Sequence, residues 1–164
     1  MATRVFFSFD FPCDLWRASV VRNRWVMNPG LVASGFWGKE FTEEPQPGRG
    51  ELEAFVDEQL QGTDVTAVLI GPQTAHCAHV TYAIRRSVDL GRGLVGIYID
   101  KCKDRFGVTS RRGSNPFDPI VVDVEGRLVQ LAELVPMHDW VDDNGFNNLR
   151  DWVSDAMARA VVRL

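Results

Sequence analysis

The chain has 164 residues, of which 45% are hydrophobic and 24% charged, and its formal net charge is −4 at pH 7. This length predicts a single domain, residues 1–164, and no apolar run reaches the roughly 20 residues of a membrane-spanning helix. The acidic balance predicts neither a nucleic-acid nor a membrane partner. Three scattered cysteines without a CxxC pattern, and an opening strand in place of a leader, predict a cytoplasmic protein.

The first part of the chain predicts a strand, a helix, an irregular surface loop and a second helix. The loop is longer than a small α/β core needs, and it contains Phe36, Trp37 and Phe41. These aromatic side chains are candidates for an interface between copies, or for a lid that folds back on the domain. In chain order, the predicted elements are Arg4–Phe9, Leu15–Met27, Leu31–Gly50 and Glu51–Leu60.

The middle of the chain has the pattern of a βαβ unit. Val65–Ile70 and Leu94–Ile99 are continuous apolar runs, typical of parallel strands buried on both faces, and Ala78–Leu90 has helical spacing between them. Ligands of such sheets bind beyond the carboxyl ends of the strands. We therefore expect function at the turn 71–76.

The last part of the chain predicts an antiparallel hairpin and a final helix. Glu125-Gly126 would form the two-residue turn, with the glycine supplying the positive φ. Asp142-Asp143-Asn144-Gly145 offers residues that cap a helix. The predicted segments are a loop at Lys101–Pro119, strands at Ile120–Val124 and Arg127–Leu131, and a helix from Phe146 to about Val162.

Three short patterns have ordinary explanations. Gly91–Gly96 matches GxGxxG, but a helix precedes it and a strand follows, so Gly91 is better explained as the end of a helix. The group His76, Cys77 and His79 lacks a third and fourth ligand at a recognisable spacing, which predicts no metal site. The pairs 85–86 and 111–112 are arginines expected on solvated faces.

Several segments, distributed over nearly the whole chain, resemble one known family. They are Arg4–Phe9, Val21–Val26, Val68–Thr74, Val80–Ile84 and Asn115–Asp118. The family is the TIR-like family that includes the sensor enzyme of bacterial Thoeris antiphage systems. The resemblance implies an α/β, flavodoxin-like fold with a largely parallel sheet flanked by helices and a late antiparallel hairpin.

The resemblance also implies an activity and its partners. Such enzymes are similar to TIR NADases, for which NAD is the substrate and no cofactor stays bound. A phage-derived trigger starts cleavage of the nicotinamide–ribose bond, and the ADP-ribose-derived product, often cyclic, activates a separate effector. A homo-oligomer is expected as the working form. The alternative is a TIR-type interaction module that is not an enzyme and signals through self-association.

One position departs from the family pattern. The family carries a catalytic Glu directly after an aromatic residue, which here is Tyr82, but the next residue is Ala83. Loss of one electrostatic stabiliser of a transition state typically costs about 10² to 10³ in rate, so the chain as written should cleave NAD poorly. Ala83 is explained by packing, by a natural binding-only protein, or by deliberate replacement of Glu, which we favour.

The remaining site candidates follow from the same resemblance. Their implied roles are ring stacking, hydrogen bonds to the riboses, and placement of the half of the ligand that carries the second phosphate. They are Phe9, Asp10, His79, Tyr82, Asn115 and Asp118.

Overall fold

The structure, a computed structural model, describes residues 3–27, 32–34 and 48–160. The elements alternate between strands and helices until a hairpin follows the fourth strand. In chain order they are β1 (Arg4–Ser8), α1 (Phe11–Val26), β2 (Val32–Ser34), α2 (Arg49–Leu60), β3 (Val65–Ile70), α3 (Ala78–Asp89), β4 (Gly93–Tyr98), β5 (Val121–Val124), β6 (Arg127–Gln130), β7 (Met137–Asp139) and α4 (Gly145–Arg159).

The main sheet has five strands in the order β2-β1-β3-β4-β7, and all its neighbours are parallel. Every residue of β3 is buried, as its continuous apolar sequence predicts for a central parallel strand. Helix α1 contacts α4, and α2 contacts α3. The predicted α/β class, with helices flanking a parallel sheet, is confirmed.

The predicted hairpin is also confirmed, and it forms a separate two-stranded antiparallel sheet. Its turn has φ of 53° at Glu125 and 84° at Gly126. Positive φ at both central residues is the signature of a type I′ turn, whose twist matches that of the strands. The turn therefore uses left-handed backbone at Glu125 as well as at the expected glycine.

Gly91 ends α3, as the sequence predicts. Its φ is 68°, its N–H donates to the carbonyl of Val88 at 3.1 Å, and the N–H of Arg92 donates to the carbonyl of Ser87 at 2.9 Å. These two bonds form a Schellman motif, which satisfies the last carbonyls of the helix. The GxGxxG pattern thus begins at a helix end.

Several predicted boundaries are wrong. Helix α1 starts at Phe11 and not at Leu15, because Pro12 fits the first helical turn, where its missing N–H costs nothing. The predicted loop Leu31–Gly50 contains β2 and the start of α2, while Phe36, Trp37 and Phe41 lie outside the described residues. Strand β7 was not predicted. Helix α4 is described to Arg159, and no helix in the described part of the chain is long and apolar enough to cross a membrane.

Candidate active site at the carboxyl edge of the sheet

The strand order predicts a ligand-binding crevice between β1 and β3. The chain passes from β1 outward to β2, and then returns to β3 on the other side of β1. In doubly wound sheets of this order, ligands bind outside the carboxyl ends of the strands at the point of reversal. That point is formed by Phe9 and Asp10 after β1 and by Gly71 after β3.

Asp10 and Asp14 bring two acidic side chains to this edge. Asp10 is the N-cap residue of α1, its carbonyl accepts the N–H of Asp14 at 2.9 Å, and only 8% of Asp10 is exposed. The carboxylate of Asp14 is fully buried, and neither oxygen has a hydrogen-bond partner in the described part of the chain. Burial raises the pKa of Asp14 to about 6, the charge of Asp10 adds to this rise, and Arg17 opposes it.

The turn after β3 is closely packed from two sides. A Cβ atom on Gly71 would lie 2.1 Å from Oδ2 of Asp14, and a Cβ atom on Gly113 would lie 2.1 Å from the carbonyl oxygen of Gly71. Position 113 therefore requires glycine, because the neighbouring atom belongs to the backbone, and a side chain at position 71 would have to displace the carboxylate of Asp14. The loop after β4 thus crosses the carboxyl end of β3 at backbone contact distance.

Two arginines stabilise the position of the loop after β4. Arg17 of α1 donates to the carbonyls of Cys102 at 2.9 Å and Val108 at 2.8 Å. Arg112 pairs with Asp100 at 3.3 Å and with Asp139 at the end of β7. These contacts fix the loop over the carboxyl ends of β3, β4 and β7. Arg112 is at the surface, as expected, but its guanidinium is paired with protein carboxylates.

His79 connects α3 to the end of β1. Its ring stacks on Phe11 at 4.6 Å between centroids, and its Nε2 lies 2.8 Å from the carbonyl oxygen of Phe9. Since a carbonyl only accepts, Nε2 carries the proton and Nδ1 accepts from the thiol of Cys77, 3.1 Å away. Burial lowers the pKa of His79 and raises that of Cys77 to about 12. The pair is therefore a neutral imidazole and a thiol.

Ala83 lies one helical turn after His79 and is completely buried. It belongs to the same apolar cluster as Phe9 and Phe11, whereas the neighbouring Val80 and Ile84 belong to the other cluster. Position 83 therefore faces the side of β1 and the start of α1.

The other candidate site residues, Tyr82, Asn115 and Asp118, lie apart from Asp10 and His79. The hydroxyl of Tyr82 donates to Asp57 of α2 at 2.8 Å. Asn115 stabilises its own turn, because its Oδ1 accepts the N–H of Phe117 at 2.9 Å, and Asp118 is exposed. In the part of the chain that the structure describes, no hydrogen bond or ion pair joins these three residues to Asp10 or His79.

The structure adds site residues that the sequence did not single out, namely Asp14, Arg17 and Gly113. Asp10 is the N-cap residue of α1 and Asp14 lies in its first turn, but the sequence predicted that this helix begins at Leu15, so their spacing gave no signal. For Arg17 and Gly113 there was no signal either. Among the described residues, no group of three or more His, Cys, Asp or Glu side chains could hold a metal ion.

Comparison with known proteins gives the family. The model of the family described as "Thoeris protein ThsB, TIR-like domain" matches residues 6–104. The chain belongs to the ThsB TIR-like family. A relative from Bacillus cereus (strain MSX-D12), named "Putative cyclic ADP-D-ribose synthase ThsB1", is 30% identical over 94% of this chain and the whole length of the relative. The matched range of the ThsB model begins within β1, at Phe6, and includes α3 and position 83, whereas Gly113, Asn115 and Asp118 lie beyond its end.

Proposed function

We propose that this chain binds NAD at the carboxyl edge between β1 and β3 as an antiphage immune sensor. The family reaction would cleave the nicotinamide–ribose bond and form an ADP-ribose-derived messenger, with a cyclic isomer as the favoured product, for a separate effector. The observation that carries the proposal is the nearly full-length match to a relative named as a cyclic ADP-D-ribose synthase. The reversal of strand order at β1 and β3 supplies a location for the ligand.

In this proposal, groups at the edge have distinct roles. Asp10 accepts hydrogen bonds from ribose hydroxyls, since its carboxylate lies at the end of β1. His79, as a neutral ring stacked on Phe11, forms an aromatic wall that adds no positive charge beside an oxocarbenium-like ribose. The ring of Phe9 is fully buried, so its contribution in this arrangement is the carbonyl that orients His79. Tyr82, Asn115 and Asp118 would contact the more distant parts of the ligand.

Position 83 explains why the chain as written should be a poor catalyst. A carboxylate there would face the side of β1 on which His79 and Phe11 lie, where it could stabilise positive charge on the ribose. The methyl group of Ala83 provides no charge and no hydrogen bond. We propose that the chain retains substrate contacts while it lacks this stabilisation of the transition state.

The alternative is a non-enzymatic TIR-type module that acts through self-association, in which Ala83 needs only a packing role. Ala83 is completely buried in an apolar cluster, as a simple packing residue would be. The alternative assigns no nucleotide to the crevice. Nucleotide binding therefore separates the two functions.

The test is a calorimetric titration of this chain with NAD and with ADP-ribose, combined with amide NMR. We expect binding, with the largest shifts at Asp10, Gly71 and Gly113. Asp10→Asn should weaken binding about tenfold, the loss typical of a hydrogen bond to a charged group. Asp151→Asn, an exposed acid on α4, is the matched control and should bind normally. No binding at millimolar NAD, or shifts confined to other surfaces, would contradict the proposal.

A further inference from the structure

The five residues 111–115 are held in place beside the turn that ends β3, and we call them the 111–115 segment. A Cβ atom on Gly113 would lie 2.1 Å from the carbonyl oxygen of Gly71, so the two backbones are in direct contact. At the end of the segment, Oδ1 of Asn115 accepts the N–H of Phe117 at 2.9 Å, and Phe117 is completely buried. The segment is therefore anchored at its middle and at its end.

The backbone N–H groups of the 111–115 segment have no protein acceptor. None of the five donates a hydrogen bond to another group in the described part of the chain. Backbone donors that a fixed loop leaves unpaired are satisfied by water or by a ligand. Successive N–H groups in turns and loops are also the donors with which many proteins bind phosphate. The segment therefore offers five unpaired donors for an anion at the edge of the crevice.

The segment also has a positive charge that no carboxylate balances. It contains two arginines, and the first acid after it is Asp118. Arg112 pairs with Asp100 and Asp139, so its charge is compensated within the protein. Arg111 is exposed and forms no ion pair in the part of the chain that the structure describes. Arg111 can therefore pair with an anion that the neighbouring N–H groups hold.

Gly71 lies between the 111–115 segment and the acidic groups of the crevice. Asp14 contacts Gly71 from α1, and Gly113 contacts it from the loop after β4. The carboxylates of Asp10 and Asp14 repel phosphate oxygens, whereas the unpaired N–H groups of the segment attract them. A nucleotide at this edge therefore gains most when its phosphates lie on the segment and a ribose lies toward Asp10.

We propose that the 111–115 segment binds the diphosphate of a nucleotide, with its backbone N–H groups and the guanidinium of Arg111 as donors. The inference rests on the proposed function, to which it adds the part of the crevice that recognises phosphate. Several backbone donors and an arginine suit an anion with many oxygens better than a single carboxylate. NAD and ADP-ribose share the diphosphate, so the segment holds substrate and product alike.

The first experiment follows the amide NMR signals of the unmodified, isotope-labelled chain. Inorganic pyrophosphate and ADP-ribose, each at millimolar concentration, should shift the amides of residues 111–115. Nicotinamide riboside has the nicotinamide–ribose part of NAD without phosphate, so it should leave these amides unmoved. Because this experiment uses no variant, its result does not depend on whether a substitution is tolerated.

A pair of variants measures the contribution of Arg111 by calorimetry. Arg111→Gln should weaken ADP-ribose binding about tenfold, the effect typical of losing a hydrogen bond to a charged group, and should make binding less sensitive to salt. Arg105→Gln is the matched control, because Arg105 is also exposed in the loop after β4 but lies outside the segment. Both substitutions remove one positive charge, and the control should bind ADP-ribose as the original chain does.

Two results would overturn the inference. One is that pyrophosphate and ADP-ribose leave the 111–115 amides unmoved, and the other is that both arginine variants weaken binding equally, as the general field of a basic loop would require. NAD-induced shifts at Asp10 and Gly71 without shifts in the segment would contradict this inference alone. Shifts in the segment with pyrophosphate and ADP-ribose, but no binding of NAD, would contradict only the proposed function.

Discussion

His79 donates a hydrogen bond from its Nε2 to the carbonyl of Phe9 at 2.8 Å, which ties the first turn of α3 to the chain just beyond β1. Both residues are buried, so water cannot replace the bond if the imidazole is removed. His79→Leu should lower the free energy of unfolding by about 1 to 3 kcal/mol, the cost of an unsatisfied buried carbonyl.

Urea unfolding at pH 8 measures this cost. Phe and Gln at position 79 provide the comparison, because Phe keeps the stacking on Phe11 without the bond and Gln can restore a donor. Equal stability of His79→Phe and the original chain would show that the hydrogen bond contributes nothing. Burial lowers the pKa of His79 in the folded chain, so its stabilising effect should also be lost as the pH falls below about 6.5, the ordinary pKa of the unfolded chain.

Asp14 should have the opposite pH dependence. Its pKa is raised from 3.8 to about 6 in the folded chain, so the folded state holds the proton more tightly than the unfolded state does. Stability from this group is fully present below pH 3.8 and is lost as the pH rises to about 6. The corresponding loss is about 3 kcal/mol.

Asp14→Asn should remove that loss, which makes the variant more stable than the original chain at pH 7 and less pH-dependent between pH 4 and 6. Arg17 keeps its bonds to the carbonyls of Cys102 and Val108, so the substitution does not leave it without partners. The measurement is urea unfolding across this pH range. A steeper or unchanged pH dependence in Asp14→Asn would show that the buried carboxylate does not cause this loss of stability.

The type I′ turn of the hairpin predicts a stabilising substitution. Glu125 has φ of 53°, a backbone region that costs most L-residues about 1 to 2 kcal/mol and that Asn tolerates better. Glu125→Asn should therefore raise the free energy of unfolding by about 0.5 to 1 kcal/mol. Glu133→Asn is the control, because it removes an exposed Glu outside the turn. Equal effects of the two substitutions would assign the gain to charge and not to the turn.

The sequence predicted the central βαβ unit well, because β3 and β4 are buried on both faces and therefore have continuous apolar sequences bounded by turn residues. It did not predict β2 or β7, which have three residues each. Such short strands have no periodicity to detect. Strand β7 also has two polar residues, His138 and Asp139. Asp139 can lie at the end of this strand because Arg112 pairs with it.

The candidate site was predictable at the level of its edge, but its contacts were not. The turn after β3 was expected to matter, and Asp10 and His79 do lie together beside it. The contact of Asp14 with Gly71, and that of Gly113 with the same glycine, depend on how α1 and a long loop pack against the end of β3. Those are tertiary distances, which no local pattern encodes.

The release of nicotinamide from NAD by Ala83→Glu tests the central claim most directly. Ala83→Gln is the matched control, since it has the same shape without the charge, and thermal melts of both variants report the cost of placing a polar group in this buried position. After exposure to phage-infected extract as trigger, we expect Ala83→Glu to release nicotinamide about 10² to 10³ times faster than the original chain and Ala83→Gln. Equal release by all three folded proteins would contradict the account.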